Sequence, residues 1–271
     1  MTRRVAVLGG GLMGSGIAAL AAEHGWEVRV FDTRTTPSTT HDRLGAAVEN
    51  VDWVVEAATE SLPVKLELLT AAEAACPRDA VISSTTSTFL PSALEGAVAG
   101  TERFLLTHFF RPAELVPLVE VVAVARTDPD VTARVLRWLT ELGKEPIRLA
   151  RETPGMVANR LQAAVLREAL HLVDEGVVTV EDVDRIVRAS IGPRWAVAGP
   201  LLVADLGGLD VFAAVCANLF PFLSDATGVP ELLARHVAAG EYGAKTGAGL
   251  YRDEEAWRSA AIRIDRAWPA R

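Results

Sequence analysis

Arg4-Val5-Ala6-Val7-Leu8-Gly9-Gly10-Gly11-Leu12-Met13-Gly14-Ser15-Gly16-Ile17-Ala18-Ala19-Leu20-Ala21-Ala22-Glu23, followed by Val28-Arg29-Val30-Phe31-Asp32, decides the fold. A short β-rich run stops at three glycines. An alanine-rich stretch with Ile and Leu at helical spacing follows, and Gly25 closes it as a helix C-cap would. A second β-run then ends on an acid. Strand, helix and strand within about thirty residues make a βαβ unit. Gly9, Gly11 and Gly14 fit G-x-G-x-x-G, with Leu12 and Met13 between the last two. In that pattern the first glycine makes the tight turn and the second admits a pyrophosphate against the backbone. The third lets helix pack on strand. The free N–H groups and positive dipole end of the helix then face phosphate. Asp32, eighteen residues after Gly14, is placed to accept from both hydroxyls of an adenosine ribose, which points to NAD. Arg34 is the counter-signal, since a neighbouring arginine can receive the 2′-phosphate of NADP.

Working outward, β-runs recur at Trp53–Ala57, Ala80–Ser83, Arg103–Thr107 and Val119–Val122, with helical stretches between several of them. This predicts an α/β fold, a Rossmann-type doubly wound and largely parallel sheet, over residues 1–151. Beyond Thr153-Pro154-Gly155 the periodicity is almost purely helical: Val157–Glu175, Val180–Ser190, Val211–Leu223 and Leu232–Ala239. Thr179-x-x-Asp182 is set to cap one of these helices. Residues 152–271 are therefore expected to form an all-helical domain for substrate and dimerisation.

Composition narrows the classes. Half the residues are apolar and 23% are charged, so a packed core is expected and a disordered chain is not. The net charge of −8, with no basic cluster, argues against a nucleic-acid surface. Cys76 and Cys216 lie far apart without metal-ligand spacing, so no metal is expected. No apolar run reaches the ~18 residues of a membrane span, and Val211–Leu223, broken by Asn218 and Pro221, reads as a core helix. Thr2-Arg3-Arg4 before an apolar stretch resembles an export signal, but the glycine loop that follows marks a nucleotide-binding strand. A cytoplasmic location is the expectation. His24, His41, His171 and His236 read as structural or surface residues, and Trp26 and Trp53 as packing anchors.

His108, in Thr107-His108-Phe109-Phe110-Arg111-Pro112, closes a β-run. Ser87 sits in the hydroxyl cluster Ser83-Ser84-Thr85-Thr86-Ser87-Thr88, after another strand. Glu120 stands inside the apolar run Pro117–Val122, an awkward place for a carboxylate unless something pairs with it. A buried carboxylate beside an imidazole would fix its tautomer, as a general base requires.

These motifs, taken in order, resemble the 3-hydroxyacyl-CoA dehydrogenases nearly end to end. The match comprises the glycine loop, Val55-Glu56-Ala57 leading to Glu60 and Lys65, and the hydroxyl cluster. It continues with His108-Phe109-Phe110, Val119-Glu120-Val121, Thr153-Pro154-Gly155 with Asn159-Arg160-Leu161, and Gly243-Ala244-Lys245-Thr246-Gly247-Ala248-Gly249-Leu250-Tyr251. The resemblance implies that His108 is the general base, that Glu120 orients it, and that Ser87 and Asn159 hydrogen-bond the reacting oxygen. It also implies that Glu60, Lys65 and Ser87 contact the NAD cofactor, and that the chain is a homodimer.

Three departures bear on the substrate. Between the second strand and the segment before Glu60, where the family carries a long helical hairpin that helps hold coenzyme A, only Thr33–Val51 is available. Thr33–Thr40 reads as a loop and Asp42–Glu49 as a short helix, so this β2–β4 region is shortened and a third strand is lost or very short. Arg111 replaces the family's Asn, which suggests an anionic substrate group or a salt bridge to Glu114. Thr85 stands where the family often has Asn. Gly192-Pro193-Arg194-Trp195-Ala196 resembles the branch of L-gulonate 3-dehydrogenase, λ-crystallin and carnitine dehydrogenase, with Arg194 facing a substrate carboxylate or pairing across a dimer interface. The leading expectation is an NAD-dependent dehydrogenase or ketoreductase of a 3-hydroxyacyl or 3-ketoacyl compound, carried on CoA, a carrier protein or a polyketide-like chain. A dehydrogenase of a free 3-hydroxy acid is the alternative, and a non-catalytic NAD-binding protein a remote third.

Overall fold

The computed structural model describes residues 2–34 and 40–267. Of the loop expected at Thr33–Thr40, residues 35–39 lie outside the described residues. In chain order the first elements are β1 (Arg4–Leu8), α1 (Leu12–Glu23), β2 (Glu27–Phe31), α2 (Leu44–Val48), β3 (Trp53–Glu56), α3 (Leu62–Ala75), β4 (Val81–Ser84) and α4 (Pro91–Leu94). They continue with β5 (Phe104–Phe109), β6 (Leu118–Ala123), α5 (Pro129–Glu141) and β7 (Glu145–Leu149). The seven strands form one sheet in the order β2-β1-β3-β4-β5-β6-β7. Every neighbouring pair is parallel except β5 and β6. The eight residues from Phe110 to Pro117 are too few for a crossover, so these two strands must turn back on each other.

The inner strands of the sheet are buried on both faces, as their β-branched residues require. Val5 and Val7 point into a core with Ile17, Leu20, Leu139 and three tryptophans, Trp26, Trp53 and Trp138, whose rings meet at 5.6–6.1 Å. Ala6 and Leu8 point the other way, to Val54, Leu69, Ile82, Leu94 and Phe104. The period of two in β1 thus reads directly as two cores, one per face. Strand β2 is one edge of the sheet and β7 the other. A lone parallel bridge, Phe31 to His41, occupies the place of a third strand, and among the described residues the link to β3 holds one five-residue helix, α2.

The remaining elements are helical: α6 (Ala158–Asp174), α7 (Val180–Ala189), α8 (Ile191–Gly207), α9 (Leu209–Leu219), α10 (Glu231–Ala238) and α11 (Glu254–Ala267). Thr179 caps α7, its hydroxyl accepting from Asp182 N at 3.2 Å, as the sequence predicts. Helix α8 is broken at Gly199-Pro200, where Gly199 has φ 71°. Among the described residues, those up to Ala158 together with residues 264–267 form one compact unit, and Asn159–Arg263 form the other. Met156 is buried against Leu106 and Val122, and the N–H groups of Val157 and Ala158 bond to Glu120, which ties this stretch to the sheet. One of the sequence expectations changes. Val211–Leu223 is not a core helix within the single chain: Val211, Val215, Leu219 and Phe220 are exposed, and the helix gives way to a 3₁₀ turn at Phe220–Phe222. No single described helix is long and apolar enough to cross a membrane, although α8 together with α9 and the following turn, bent by 98°, passes that test by length and composition.

Candidate active site

The glycine loop runs from the C-terminal end of β1 into α1. Gly9 has φ +114°, and a Cβ there would stand 2.6 Å from the Ala57 carbonyl oxygen. A Cβ on Gly14 would fall 1.8 Å from the Gly9 carbonyl oxygen. No side chain caps α1 at Gly11, so its first N–H groups are not consumed by a cap. Beside the loop lies a cleft of about 750 Å³ lined by Gly9, Gly11, Leu12, Met13, Phe31, Asp32, Arg34 and Ala57 among others. Asp32 anchors its far end, accepting from Gly10 N at 2.7 Å and from Arg34 N at 2.8 Å. Burial pushes the Asp32 carboxyl up, but those two N–H groups and the Arg34 charge outweigh it and hold the group below the usual range. Oδ2, which accepts from Gly10 N, keeps a lone pair for a ribose hydroxyl. Arg34 is largely exposed, with its guanidinium 3.6 Å from Asp32. The residues fit a dinucleotide with free ribose hydroxyls.

At the end of β3, Glu56 is fully buried. It accepts from Ser84 Oγ, from Ala58 N at 2.8 Å and from Lys65 Nζ at 3.0 Å. Lys65 is itself 1% exposed and reaches Glu60 at 3.3 Å. The sequence expectation of a ribose contact suits Glu60, whose carboxylate is 38% exposed. For Lys65 the structure gives a supporting position behind it. Burial pushes Glu60 up, but the hydroxyls of Thr86 and Thr88, Lys65 and the Thr88 N–H bring it down to about 2.

His108 and Glu120 are direct cross-strand partners in the antiparallel β5–β6 pair, so the register alone brings them together. Nδ1 of His108 lies 3.0 Å from Glu120 Oε2, and both residues are 2% exposed. The other Glu120 oxygen accepts from Val157 N at 2.9 Å and Ala158 N at 3.0 Å, at the start of α6. With Nδ1–H given to Glu120, Nε2 presents its lone pair outward, 3.1 Å from Ser87 Oγ. Phe110 covers the imidazole edge-on at 4.4 Å between centroids. This arrangement can take a proton from, or return it to, an oxygen placed beside Ser87.

Thus Ser87, His108 and Glu120 come together, with Glu60 and Lys65 next to Ser87's loop and the glycine loop with Asp32 and Arg34 along the same sheet edge. Arg111 is exposed and makes no salt bridge with Glu114, so that expectation is not met. Asn159 and Arg194 belong to the second unit, as the second residue of α6 and an exposed residue of α8. Thr85 is buried, its N–H on the Glu56 carbonyl. Sequence reasoning gave no role to Glu56 beyond the motif, none to Thr86 and Thr88, and none to the N–H groups of Val157 and Ala158. Glu56 carried the same signal as Glu120, a carboxylate inside an apolar β-run.

Comparison with known proteins agrees with this geometry. Residues 4–40 and 35–153 match the family model of the 3-hydroxyacyl-CoA dehydrogenase NAD binding domain, and residues 155–253 that of its C-terminal domain. The chain is 29% identical over 280 residues to 5-formyl-3-hydroxy-2-methylpyridine 4-carboxylate 5-dehydrogenase of Mesorhizobium japonicum, covering 93% of this chain and 91% of that one. A solved structure of a dehydrogenase of that pyridine acid, described as an NAD+ dependent dismutase, superimposes with a TM-score of 0.91 at 27% identity, over 98% of this chain and 96% of that one. L-carnitine dehydrogenase of Streptomyces coelicolor is 37% identical over 234 residues, 76% of this chain and 74% of its own. The (S)-3-hydroxybutyryl-CoA dehydrogenase of Ralstonia eutropha superimposes with a TM-score of 0.73 at 28% identity, over 93% and 99%. The chain belongs to the 3-hydroxyacyl-CoA dehydrogenase family of NAD-dependent oxidoreductases.

Proposed function

We propose that this oxidoreductase acts on a small free hydroxy acid, or its carbonyl counterpart, rather than on an acyl-CoA. The observation that carries the reading is the short link between β2 and β3, where the described residues hold only the five-residue helix α2 and no arm of the kind that grips coenzyme A. Arg111, three residues beyond His108 and without the Glu114 salt bridge, supplies an exposed cation for a substrate carboxylate. Full-length similarity to a pyridine carboxylate dehydrogenase, and similarity to carnitine dehydrogenases, support it.

In the oxidising direction His108 Nε2 takes the hydroxyl proton while Glu120 receives the Nδ1–H and stabilises the charged imidazole. Ser87 hydrogen-bonds the reacting oxygen and, in the reducing direction, helps hold the charge that develops on it. Bound NAD supplies the hydride acceptor. Apolar side chains of the helical unit, among them Val197, Leu201 and Leu206, are largely solvent-exposed in the single chain, which supports a homodimer.

A thioester on a carrier protein or pantetheine is the second reading, favoured by the family match. Initial rates on L-carnitine, free 3-hydroxybutyrate, the 5-formyl pyridine acid, acetoacetyl-CoA and acetoacetyl-pantetheine decide between them. The expected result is a kcat/KM at least about tenfold higher on a free acid. Preference for both thioesters would transfer the assignment to the second reading, and preference for CoA over pantetheine would remove the argument from the missing arm.

A further inference from the structure

Glu60 spends its hydrogen bonds on the loop that carries Ser87. Its Oε1 accepts from Thr86 Oγ1, from Thr88 Oγ1 at 2.7 Å, and from the N–H groups of Ser87 and Thr88, each at 3.0 Å. Thr86 Oγ1 in turn accepts from Phe89 N at 3.1 Å. The carboxylate is held from behind by Lys65, which Glu56 fixes in the fully buried floor. Ser87 and Thr88 are both exposed, on a loop that follows β4 with no regular structure of its own. A free loop of that kind moves readily. The Ser87 to His108 contact of 3.1 Å leaves little slack, since a hydrogen bond is gone by about 3.6 Å.

We propose that Glu60, through Thr86 and Thr88, is a positioning residue for Ser87: it fixes the hydroxyl on Nε2 of His108, with the Glu56–Lys65 pair as its buried anchor. Four donors on one oxygen need a carboxylate, because an amide oxygen accepts more weakly and loses the attraction of Lys65. The Glu60 side chain is 38% exposed, so the carboxylate that sets the Ser87 hydroxyl also keeps a solvent-accessible edge. A 1 Å displacement of a reacting group costs on the order of a hundredfold in rate, which is the scale of what the cluster protects.

The inference rests on Ser87 and His108 being the proton-handling pair, and the test separates the two. The full chain, labelled with ¹⁵N in its histidines and saturated with NADH, is followed by long-range ¹H–¹⁵N spectra, with His108 assigned by His108→Gln. Ser87→Ala gives the signature of the lost contact. Thr88→Val is expected to move the Nε2 resonance in the same direction by a substantial part of that displacement. Thr88→Ser restores the native position, and NADH binding by Thr88→Val stays within about twofold. Glu60→Gln is expected to move Nε2 as well, and to weaken NADH binding. A Thr88→Val spectrum that superimposes on the native one while Ser87→Ala shifts overturns the positioning role. Weakened NADH binding in Glu60→Gln with an unmoved Nε2 overturns it too, leaving Glu60 a cofactor contact only. An unmoved Nε2 in Ser87→Ala overturns the reading beneath, because the hydroxyl is then not on the imidazole.

Discussion

Replacing Glu120 by Gln isolates the orienting role of the carboxylate from its structural one. Glu120 is 2% exposed and receives three donors, His108 Nδ1–H and the N–H groups of Val157 and Ala158. Removing the side chain to Ala would leave all three without a partner, at about 1–3 kcal/mol each, and would report on folding rather than on catalysis. Gln keeps the shape, and its amide oxygen still accepts from both backbone groups. Its NH₂ then faces Nδ1, where two donors cannot meet, and the imidazole answers by moving its proton to Nε2. The nitrogen that should accept the substrate proton is now itself protonated. Restoring the working tautomer against that mismatch costs about 2–4 kcal/mol, or roughly 30- to 1000-fold in kcat. Losing the charge weakens three hydrogen bonds but spares the desolvation of an ion, so stability should change by no more than ~2 kcal/mol. The assay is steady-state turnover on the best substrate of the panel, beside thermal unfolding and NADH binding. A kcat within about threefold of the native value, in a folded variant that binds NADH, would refute the orienting role.

Acid stability should carry the mark of Glu60. Its carboxyl sits at about 2 when folded, against a usual 4.5, so its contribution is full above pH 4.5 and is lost as the pH falls through about 2. Discounted for solvent exposure this is about 1–2 kcal/mol, and Glu60→Gln should flatten the difference between unfolding curves at pH 5 and pH 3. Asp32→Ala removes the acceptor of the Gly10 and Arg34 N–H groups. It should weaken NADH binding about tenfold and NADPH binding less, by fluorescence titration; unchanged NADH affinity would remove Asp32 from the ribose site. Arg111→Met should raise KM for a carboxylate substrate about tenfold with kcat nearly unchanged. An unaltered KM would take Arg111 out of substrate recognition. Sedimentation at micromolar concentration should give twice the chain mass of 28.9 kDa, and Leu206→Glu, at a side chain 77% exposed in the single chain, should shift the population towards monomer. A native monomer would contradict the homodimer.

The parts of this protein that follow from local pattern were legible in its residues. The glycine loop between β1 and α1, Asp32 at the end of β2 and the period-two strands each depend on a few consecutive positions, and the structure places them as the sequence reads. The short helix expected within Asp42–Glu49 appears as Leu44–Val48. Buried charge was legible in a weaker form. A carboxylate inside an apolar run signals a partner, but the run does not say which one.

Tertiary structure chose the partners. Glu120 meets His108 because β5 and β6 pair antiparallel in one register, and a shift of one residue would turn the two side chains to opposite faces of the sheet. Glu60 and the Thr86–Thr88 loop are some 26 residues apart in sequence and meet only because β3 and β4 are neighbours. The backbone N–H groups of Val157 and Ala158 likewise reach Glu120 from 37 and 38 residues away in sequence. The sequence by itself determined the βαβ frame, the cofactor class and the residue types of the site. The family resemblance already names Glu120 as the carboxylate that orients the base; only the folded chain decided which one holds the Ser87 loop and that Lys65 is a buried strut. Hydrogen-bond partners are fixed by distances of about 3 Å between strands and loops far apart in the chain, and no local pattern encodes those distances.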